Sequence, residues 1–370
     1  MRIAIIGSRG YPYVYGGFET FVKELAERLV KKDVEVHVYC QKNLFSDYPK
    51  QVNGIILHYL PTLPHKSLNQ IVHCFLSMLH ASFSKADVLL VVNLAAGPMG
   101  WIPKLTGKKT MINVDGLEWL RPKWKGLGAR YFYWAARAAT KLYDQIITDA
   151  DAMREVYLQE FHTESKVIAY GAPAYHPMDN RLLKQFNLNE GEYYLIVGRL
   201  IPDNNADLII KGFLASDSTK KLVVVGDVPY ADTYAGNLKK LQNDRLFFLG
   251  YVRDQAALMT LYQHAFAYIH GHKYGGTNPA MLKAMANKCA IIALDTVFNR
   301  EMLQNGKFGV FFDENVASII QCLNQLEKQP DKVKEMRDKV GQGLTAKYNW
   351  DDITDAYIAV MEALSPSINN

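Results

Sequence analysis

The chain opens with a short apolar run closed by glycine, RIAIIG (residues 2–7). Beyond a polar loop, Phe18, Phe21, Val22, Leu25, Ala26 and Leu29 recur at spacings of three and four. That succession predicts a buried strand, a loop and an amphipathic helix. The runs VEVHVYC, ADVLLVV, TMINVD and YDQIITDA repeat the strand signal with helical patterns between them. Residues 1–174 therefore read as an alternating β/α domain around a parallel sheet. Residues 175–192 carry neither period and read as an interdomain connector. From residue 193 the alternation resumes in YYLIVGRL, KLVVVGD, LFFLGYV, AFAYIHG and CAIIALD, with helical segments such as 206–213 and 255–262 between them. A second doubly wound domain is predicted over 193–349. The apolar stripe from Trp350 to Leu364, opened by an Asn or Asp capping signal, predicts a terminal helix within 350–370.

The predicted fold class is thus α/β, with two Rossmann-like domains whose strand carboxyl ends face a cleft, where small anionic ligands are expected. A chain of 370 residues with 49% apolar composition can fill two such cores. The most apolar helical stretch, residues 71–83, falls well short of the roughly 20 residues needed to cross a bilayer. Cys40, Cys74, Cys289 and Cys322 are scattered without a Cys-x-x-Cys pair, and the opening run reads as a strand rather than a leader. A reduced, cytoplasmic setting is expected.

Four stretches could carry chemistry. In GSRGYPYVYGGFET (7–20) four glycines lie between a strand and a helix, where backbone amides and the positive helix end can meet an anion. Gly-x-Gly-x-x-Gly is absent and no acid closes the second strand, so an NAD site is not indicated. A plain turn is the alternative, although Gly16 and Gly17 ahead of Phe18 and Glu19 suit close backbone approach. In VGRLIPDNN (197–205), Arg199 leaves the end of a strand and could fork two phosphate oxygens, or instead cap a helix or pair with an acid such as Asp203.

The third stretch is HGHKYGGTNPAMLKAMANK (270–288). Thr277 and Asn278 can cap a helix that starts at Pro279, leaving the amides of Gly276, Thr277 and Asn278 for an anion or sugar hydroxyls. His270 and His272 lack a third ligand at a sensible spacing, so no metal is expected, and His270 reads as a packed strand residue. The fourth, residues 101–145, holds nine basic residues against three acidic ones, interleaved with Trp119, Trp124, Tyr131, Phe132, Tyr133 and Trp134. This suits an anionic membrane surface, or a solvated helix face over core aromatics. The net charge of +5 is modest and no reader motif is present, so nucleic acid is not an expected partner.

With these stretches together, the chain resembles the retaining GT-B glycosyltransferases of glycosyltransferase family 4. IGSRGYPYVYGGFETFVKELAERL, NVDGLEW, GRLIPDNN and GGTNPAMLKAMA resemble its bacterial rhamnosyltransferase subgroup. The resemblance implies that Gly16 and Gly17 lie under the donor diphosphate, that Asp115 sits beside the transferred sugar, and that Arg199 neutralises the leaving group. It implies that Gly275, Gly276, Thr277 and Asn278 hold sugar hydroxyls, and that the terminal helix crosses back to the N-terminal domain. Asn204 and Asn205, counted with the donor site, stand where the wider family has a lysine. Lys283 stands where a glutamate normally accepts from the ribose. Glu19, Trp119, Arg121, Lys123, Trp124 and Lys125 are assigned to the acceptor or membrane side.

The activity this implies is retaining transfer of L-rhamnose from dTDP-L-rhamnose to a polyprenyl-diphosphate-linked saccharide, at the inner face of a bacterial membrane, in surface polysaccharide synthesis. Another hexose from a UDP- or GDP-sugar, or a catalytically silent sugar-nucleotide-binding protein, are the alternatives. No metal or further cofactor is implied.

Overall fold

The computed structural model describes residues 1–12, 16–63, 68–114, 116–124, 126–228, 232–241 and 243–365. The chain forms two units. Unit 1 holds Met1–Leu120, Trp124–Gly171 and Lys347–Asn370; unit 2 holds Arg121–Lys123 and Ala172–Ala346.

Unit 1 is built on eight strands: β1 (Arg2–Ile6), β2 (Glu35–Gln41), β3 (Gln51–Val52), β4 (Ile55–Leu60), β5 (Val88–Val91), β6 (Lys109–Val114), β7 (Gln145–Thr148) and β8 (Lys166–Val167). They lie in the order β3-β4-β2-β1-β5-β6-β7-β8, parallel except for the short antiparallel edge strand β3. Helices on both faces explain why β5 is apolar throughout: all four residues of VLLV are buried. The helix Gly17–Lys31 buries Phe21, Val22, Leu25, Ala26 and Leu29, the stripe its sequence period marks.

The last helix, Trp350–Leu364, belongs to this same unit. Asn349 caps it by accepting from the Asp351 amide at 2.8 Å. Phe21 lies 5.1 Å from Tyr170 and 5.6 Å from Tyr357, ring centre to ring centre, and buried Asn113 Nδ2 donates to the Tyr357 hydroxyl at 2.7 Å. Gly171 is needed beneath Trp350, because a Cβ there would come within 2.3 Å of the indole.

Unit 2 has six parallel strands: β9 (Tyr193–Val197), β10 (Lys221–Val225), β11 (Leu246–Gly250), β12 (Ala267–His270), β13 (Ile291–Leu294) and β14 (Val310–Phe312). Their order is β11-β10-β9-β12-β13-β14. Five strands are predicted from the sequence; β14 is the sixth, and at three residues it is too short for a periodic signal. Residues 175–192 contain a 3-10 turn, Asn180–Phe186, bury Leu183 and Leu188, and are tied to the body by the Met178 amide donating to Gln263 Oε1 at 2.9 Å.

In both sheets strand order reverses beside the first strand of the unit, between β1 and β5 and between β9 and β12. The loops leaving the carboxyl ends of those strands are where an open α/β sheet presents a crevice.

Candidate active site

The loops after β9 and β12 meet backbone to backbone at the reversal point of unit 2. A Cβ on Gly271 would lie 2.3 Å from the Asn204 carbonyl, and on the other side of β9 one on Gly226, which follows β10 with φ +119°, would lie 2.0 Å from the Gly198 carbonyl. Only glycine permits both approaches. Asn205, in the left-handed region with φ 49°, donates from Nδ2 to the Gly271 carbonyl at 2.9 Å.

Asn204 sits between the two loops. Its Nδ2 donates to the Arg199 carbonyl at 2.8 Å, which turns its Oδ1 toward His272 Nδ1 at 2.7 Å. An acceptor facing Nδ1 makes that nitrogen the protonated one and leaves Nε2 with its lone pair. Burial, followed by the neighbouring Arg121, His270, Arg199 and Lys123, holds the His272 pKa well below its ordinary value, so the ring is neutral. Asn299 fixes the same loop, donating to the His272 carbonyl at 3.2 Å and the Leu294 carbonyl at 2.8 Å.

The helix Pro279–Ala286 begins at this loop with proline in its first turn and Asn278 as its cap, accepting from the Ala280 amide at 2.9 Å. The Asn278 amide itself faces Met302 Sδ at 3.4 Å. The expectation that Asn278 offers an open amide is therefore corrected: its side chain and its N–H are both engaged within the protein. Gly276 and Thr277 are buried, while Gly275 is partly exposed. Lys283 is partly exposed one turn along, and its carbonyl accepts from the Asn287 amide at 3.0 Å. His270 is 3% exposed at the end of β12, with Nδ1 2.8 Å from the Tyr268 hydroxyl, and burial pushes its pKa down to about 3.

Arg199 is exposed and makes no ion pair among the described residues. Asp203, the acid that sequence proximity offers it, is taken by Arg121: Nε to Oδ2 is 2.7 Å, with the two side chains 11% and 1% exposed. Neither this pair nor the His272–Asn204–Arg199 chain is visible in the sequence, since each joins residues far apart or through backbone atoms. The one local signal was the His-Gly-His triplet, whose second histidine proves to be a hydrogen-bonded residue of the site.

In unit 1, Gly16 precedes the helix in an extended conformation and Gly17 opens it. Glu19, assigned from the resemblance to the acceptor or membrane side, is only 3% exposed and accepts from the Arg9 amide at 3.2 Å and from Arg9 Nη1 at 3.3 Å. That contact ties the first turn of the helix to the loop after β1. Trp119 packs edge-on against Tyr133 and Phe161, each at 5.9 Å between ring centres, and Trp124 stacks near Phe132 at 4.8 Å while donating to Glu118 Oε2 at 2.8 Å. These two aromatics of the basic stretch thus help hold unit 1 together, whereas Arg121 and Lys123 belong to unit 2. Asp115 and Lys125 lie outside the described residues.

Among the described residues no group of three or more His, Cys, Asp or Glu side chains is placed to hold a metal ion, and no helix is long and apolar enough to cross a membrane. Two surface hollows of about 350 Å³ each, one lined by Asp144 and Lys166 and the other by Tyr175 and Lys288, contain none of the site residues.

A family model described as Glycosyltransferase Family 4 matches residues 15–171, and one described as Glycosyl transferases group 1 matches residues 179–343. Over 400 aligned residues the chain is 23% identical to the alpha-maltose-1-phosphate synthase of Mycolicibacterium smegmatis, covering 99% of this chain and 100% of that protein. Over 198 residues it is 24% identical to the N-acetylgalactosamine-N,N'-diacetylbacillosaminyl-diphospho-undecaprenol 4-alpha-N-acetylgalactosaminyltransferase of Campylobacter jejuni, covering 52% of this chain and 53% of that enzyme. The fold is similar to that of Anabaena HepE, solved in complex with UDP-glucose: the TM-score is 0.77 at 15% identity, over 98% of this chain and 100% of that one.

Proposed function

Because the chain is a glycosyltransferase of the GT-B fold, with a family 4 domain followed by a group 1 domain, we propose that it is a retaining transferase that moves L-rhamnose from dTDP-L-rhamnose to a polyprenyl-diphosphate-linked saccharide. The observation that carries the donor side of this reading is the junction of the loops after β9 and β12. It sets Arg199, neutral His272 and the Gly275–Asn278 loop at the reversal point of one sheet.

Breaking the bond from the anomeric carbon to the nucleoside diphosphate gathers charge on the leaving phosphate while the sugar becomes oxocarbenium-like. An arginine and helix-terminal amides oppose that charge where it develops. Neutral His272 has an acceptor at Nε2 for a sugar hydroxyl, and Asp115 is the group proposed beside the transferred sugar. The departing phosphate can take the acceptor proton on the same face, so the reaction requires no nucleophilic carboxylate and no metal.

Rhamnose is supported by the GGTNPAMLKAMA motif. The dTDP base is supported by Lys283, which has donors only and so cannot accept from ribose hydroxyls; a deoxyribose, with one hydroxyl fewer, loses less by that. A lipid-linked acceptor is supported by the Campylobacter relative, whose name specifies a diphospho-undecaprenol substrate. Docking on the inner membrane face is supported by exposed Phe75, Leu79, Phe83, Trp101 and Leu105 in unit 1. A second reading, a UDP-hexose donor, is favoured by the UDP-glucose held in the structure of HepE.

A thermal-shift panel of dTDP-, UDP- and GDP-sugars separates these readings, because a ligand at 100 times its Kd stabilises by about 2.7 kcal/mol. Stabilisation by dTDP-L-rhamnose above the others is expected. A larger shift with a UDP- or GDP-sugar refutes the rhamnose assignment, and no nucleoside diphosphate release from any donor refutes the transferase reading of the site.

A further inference from the structure

At the end of β12 one polar atom is buried and unused. His270 is 3% exposed, and its Nε2 has no hydrogen-bond partner among the described residues. Such an atom is costly, so a position that keeps one calls for a use. Side chains alternate along β12: Ala267 and Ile269 join the core cluster with Ile209, Phe213 and Leu323, and Tyr268 and His270 take the other face. On that face Tyr268 lies 5.4 Å from Tyr262 between ring centres, and the Tyr262 hydroxyl donates to the Ala280 carbonyl at 3.3 Å. Ala280 is in the first turn of the helix Pro279–Ala286, so His270 shares its face of the strand with the helix into which the 271–278 loop runs.

The neighbour of His270 sets its tautomer. The Tyr268 hydroxyl lies 2.8 Å from Nδ1 and makes no other hydrogen bond among the described residues. If the hydroxyl donates to Nδ1, only the Nε2–H is left over; the reverse would strand both the phenol O–H and Nε2. His272 is the converse, with its Nδ1–H given to Asn204 and Nε2 left as an acceptor. The two ring centres are 6.2 Å apart. One ring thus offers a hydrogen and the other a lone pair, across a span that one hydroxyl can bridge, accepting and donating at about 2.8 Å each.

We propose that His270 is a specificity-determining residue for the transferred sugar: its Nε2–H donates to the oxygen of one sugar hydroxyl, whose own hydrogen goes to His272 Nε2. The inference rests on the reading of this site as the donor site and adds a second histidine of opposite hydrogen-bonding sense. Nε2 is covered in this structure, so the hydroxyl reaches it by a shift of the loop through Gly275 and Gly276. Contact with the hydroxyl satisfies the leftover N–H, which favours the bound arrangement.

The test measures, by titration calorimetry on the whole protein, affinity for dTDP-L-rhamnose, UDP-glucose, dTDP and UDP, together with Tm before ligand is added. The variants are Tyr268→Phe/His270→Leu, His270→Met, His270→Gln and Arg199→Ala. Tyr268→Phe/His270→Leu removes both polar partners at once, so Tm should stay within about 4 °C of the parent. Affinity for the preferred sugar nucleotide should fall about tenfold while affinity for its free diphosphate stays within about twofold. His270→Met fills the space, has no N–H and leaves Tyr268 in place, so it carries the same expectation for the affinity ratio if the double variant does not fold. Gln can accept from Tyr268 through Oε1 and donate through its amide, so His270→Gln should keep most of the preference for sugar nucleotide over diphosphate.

An unchanged ratio in Tyr268→Phe/His270→Leu and His270→Met, alongside weaker diphosphate binding in Arg199→Ala, overturns the proposal and leaves the site reading standing; a fixed water on Nε2 would give that result. Equal losses for sugar nucleotide and diphosphate overturn it too, because they mark a packing role. So does a ratio that falls as far in His270→Gln as in His270→Met. Affinities unchanged for all four ligands in both His270→Met and Arg199→Ala overturn the reading of the site and the proposal with it.

Discussion

Replacing Arg121 by methionine keeps an apolar stem and removes the guanidinium, leaving Asp203 without its counter-charge. Asp203 is 1% exposed, and its Oδ1 has no hydrogen-bond partner among the described residues, so nothing nearby takes over the lost contact at Oδ2. At an effective dielectric of about 20, two unit charges at this range attract by roughly 4–6 kcal/mol, most of which offsets the cost of taking both out of water. Removing one partner leaves that cost uncompensated, and the expected loss is about 3–5 kcal/mol, against about 0–1 for an exposed pair. For a unit of this size each kcal/mol moves Tm by about 2–4 °C, so Arg121→Met should lower the transition of unit 2 by about 6–20 °C.

Arg121→Met/Asp203→Leu should recover most of that, because exchanging a whole buried pair for apolar groups is near neutral. Scanning calorimetry of the three proteins at one pH and ionic strength measures both steps. A shift under about 2 °C in Arg121→Met would mean the pair behaves as a solvated surface bridge. A double variant less stable than Arg121→Met would refute the buried-charge argument outright.

Two further outcomes follow from the geometry. Gly271→Ala places a methyl 2.3 Å from the Asn204 carbonyl, so the loops must separate; a loss of about 1–3 kcal/mol together with weaker donor binding is expected, and full donor affinity in the variant would show that the junction does not shape the site. Burial pushes fully buried His73 down to about 4, so between about pH 6.5 and 4 the unfolded chain binds a proton that the folded one does not. Stability is full above 6.5 and falls by up to about 3 kcal/mol as pH drops toward 4. Urea midpoints at pH 7 and 5 should fall less in His73→Leu than in the parent, and equal falls would exclude His73 as the cause.

The fold class was legible because the strands of two parallel sheets are buried on both faces and therefore read as continuous apolar runs, with a helical period between them. β14 escaped because three residues cannot establish a period. Packing inside residues 175–192 escaped because Leu183 and Leu188 are anchored singly, without the repeat that marks a helix face. In the candidate site, Arg199 and the Gly275–Asn278 loop could be picked out by their places at strand ends and at a helix start. The partner of Asp203 could not: proximity in sequence suggested Arg199, and the structure pairs it with Arg121. Likewise the pairing of buried Glu19 with Arg9 was not legible, because nothing local tells an acid in a first helical turn which way its carboxylate points.

The last helix carries a consequence for how the protein is made. Tyr357 completes the Asn113 hydrogen bond and packs at a tilt against Phe21, yet it emerges from the ribosome after the whole of residues 172–346. At about 5–20 residues per second, the first sheet must wait roughly 10–40 s for its closing piece. During that interval residues 172–346 are being synthesised, while Phe21 and Tyr170 stay uncovered. The part of the chain synthesised first is therefore the part finished last, and nascent chains stalled before Trp350 should be the ones that need a chaperone.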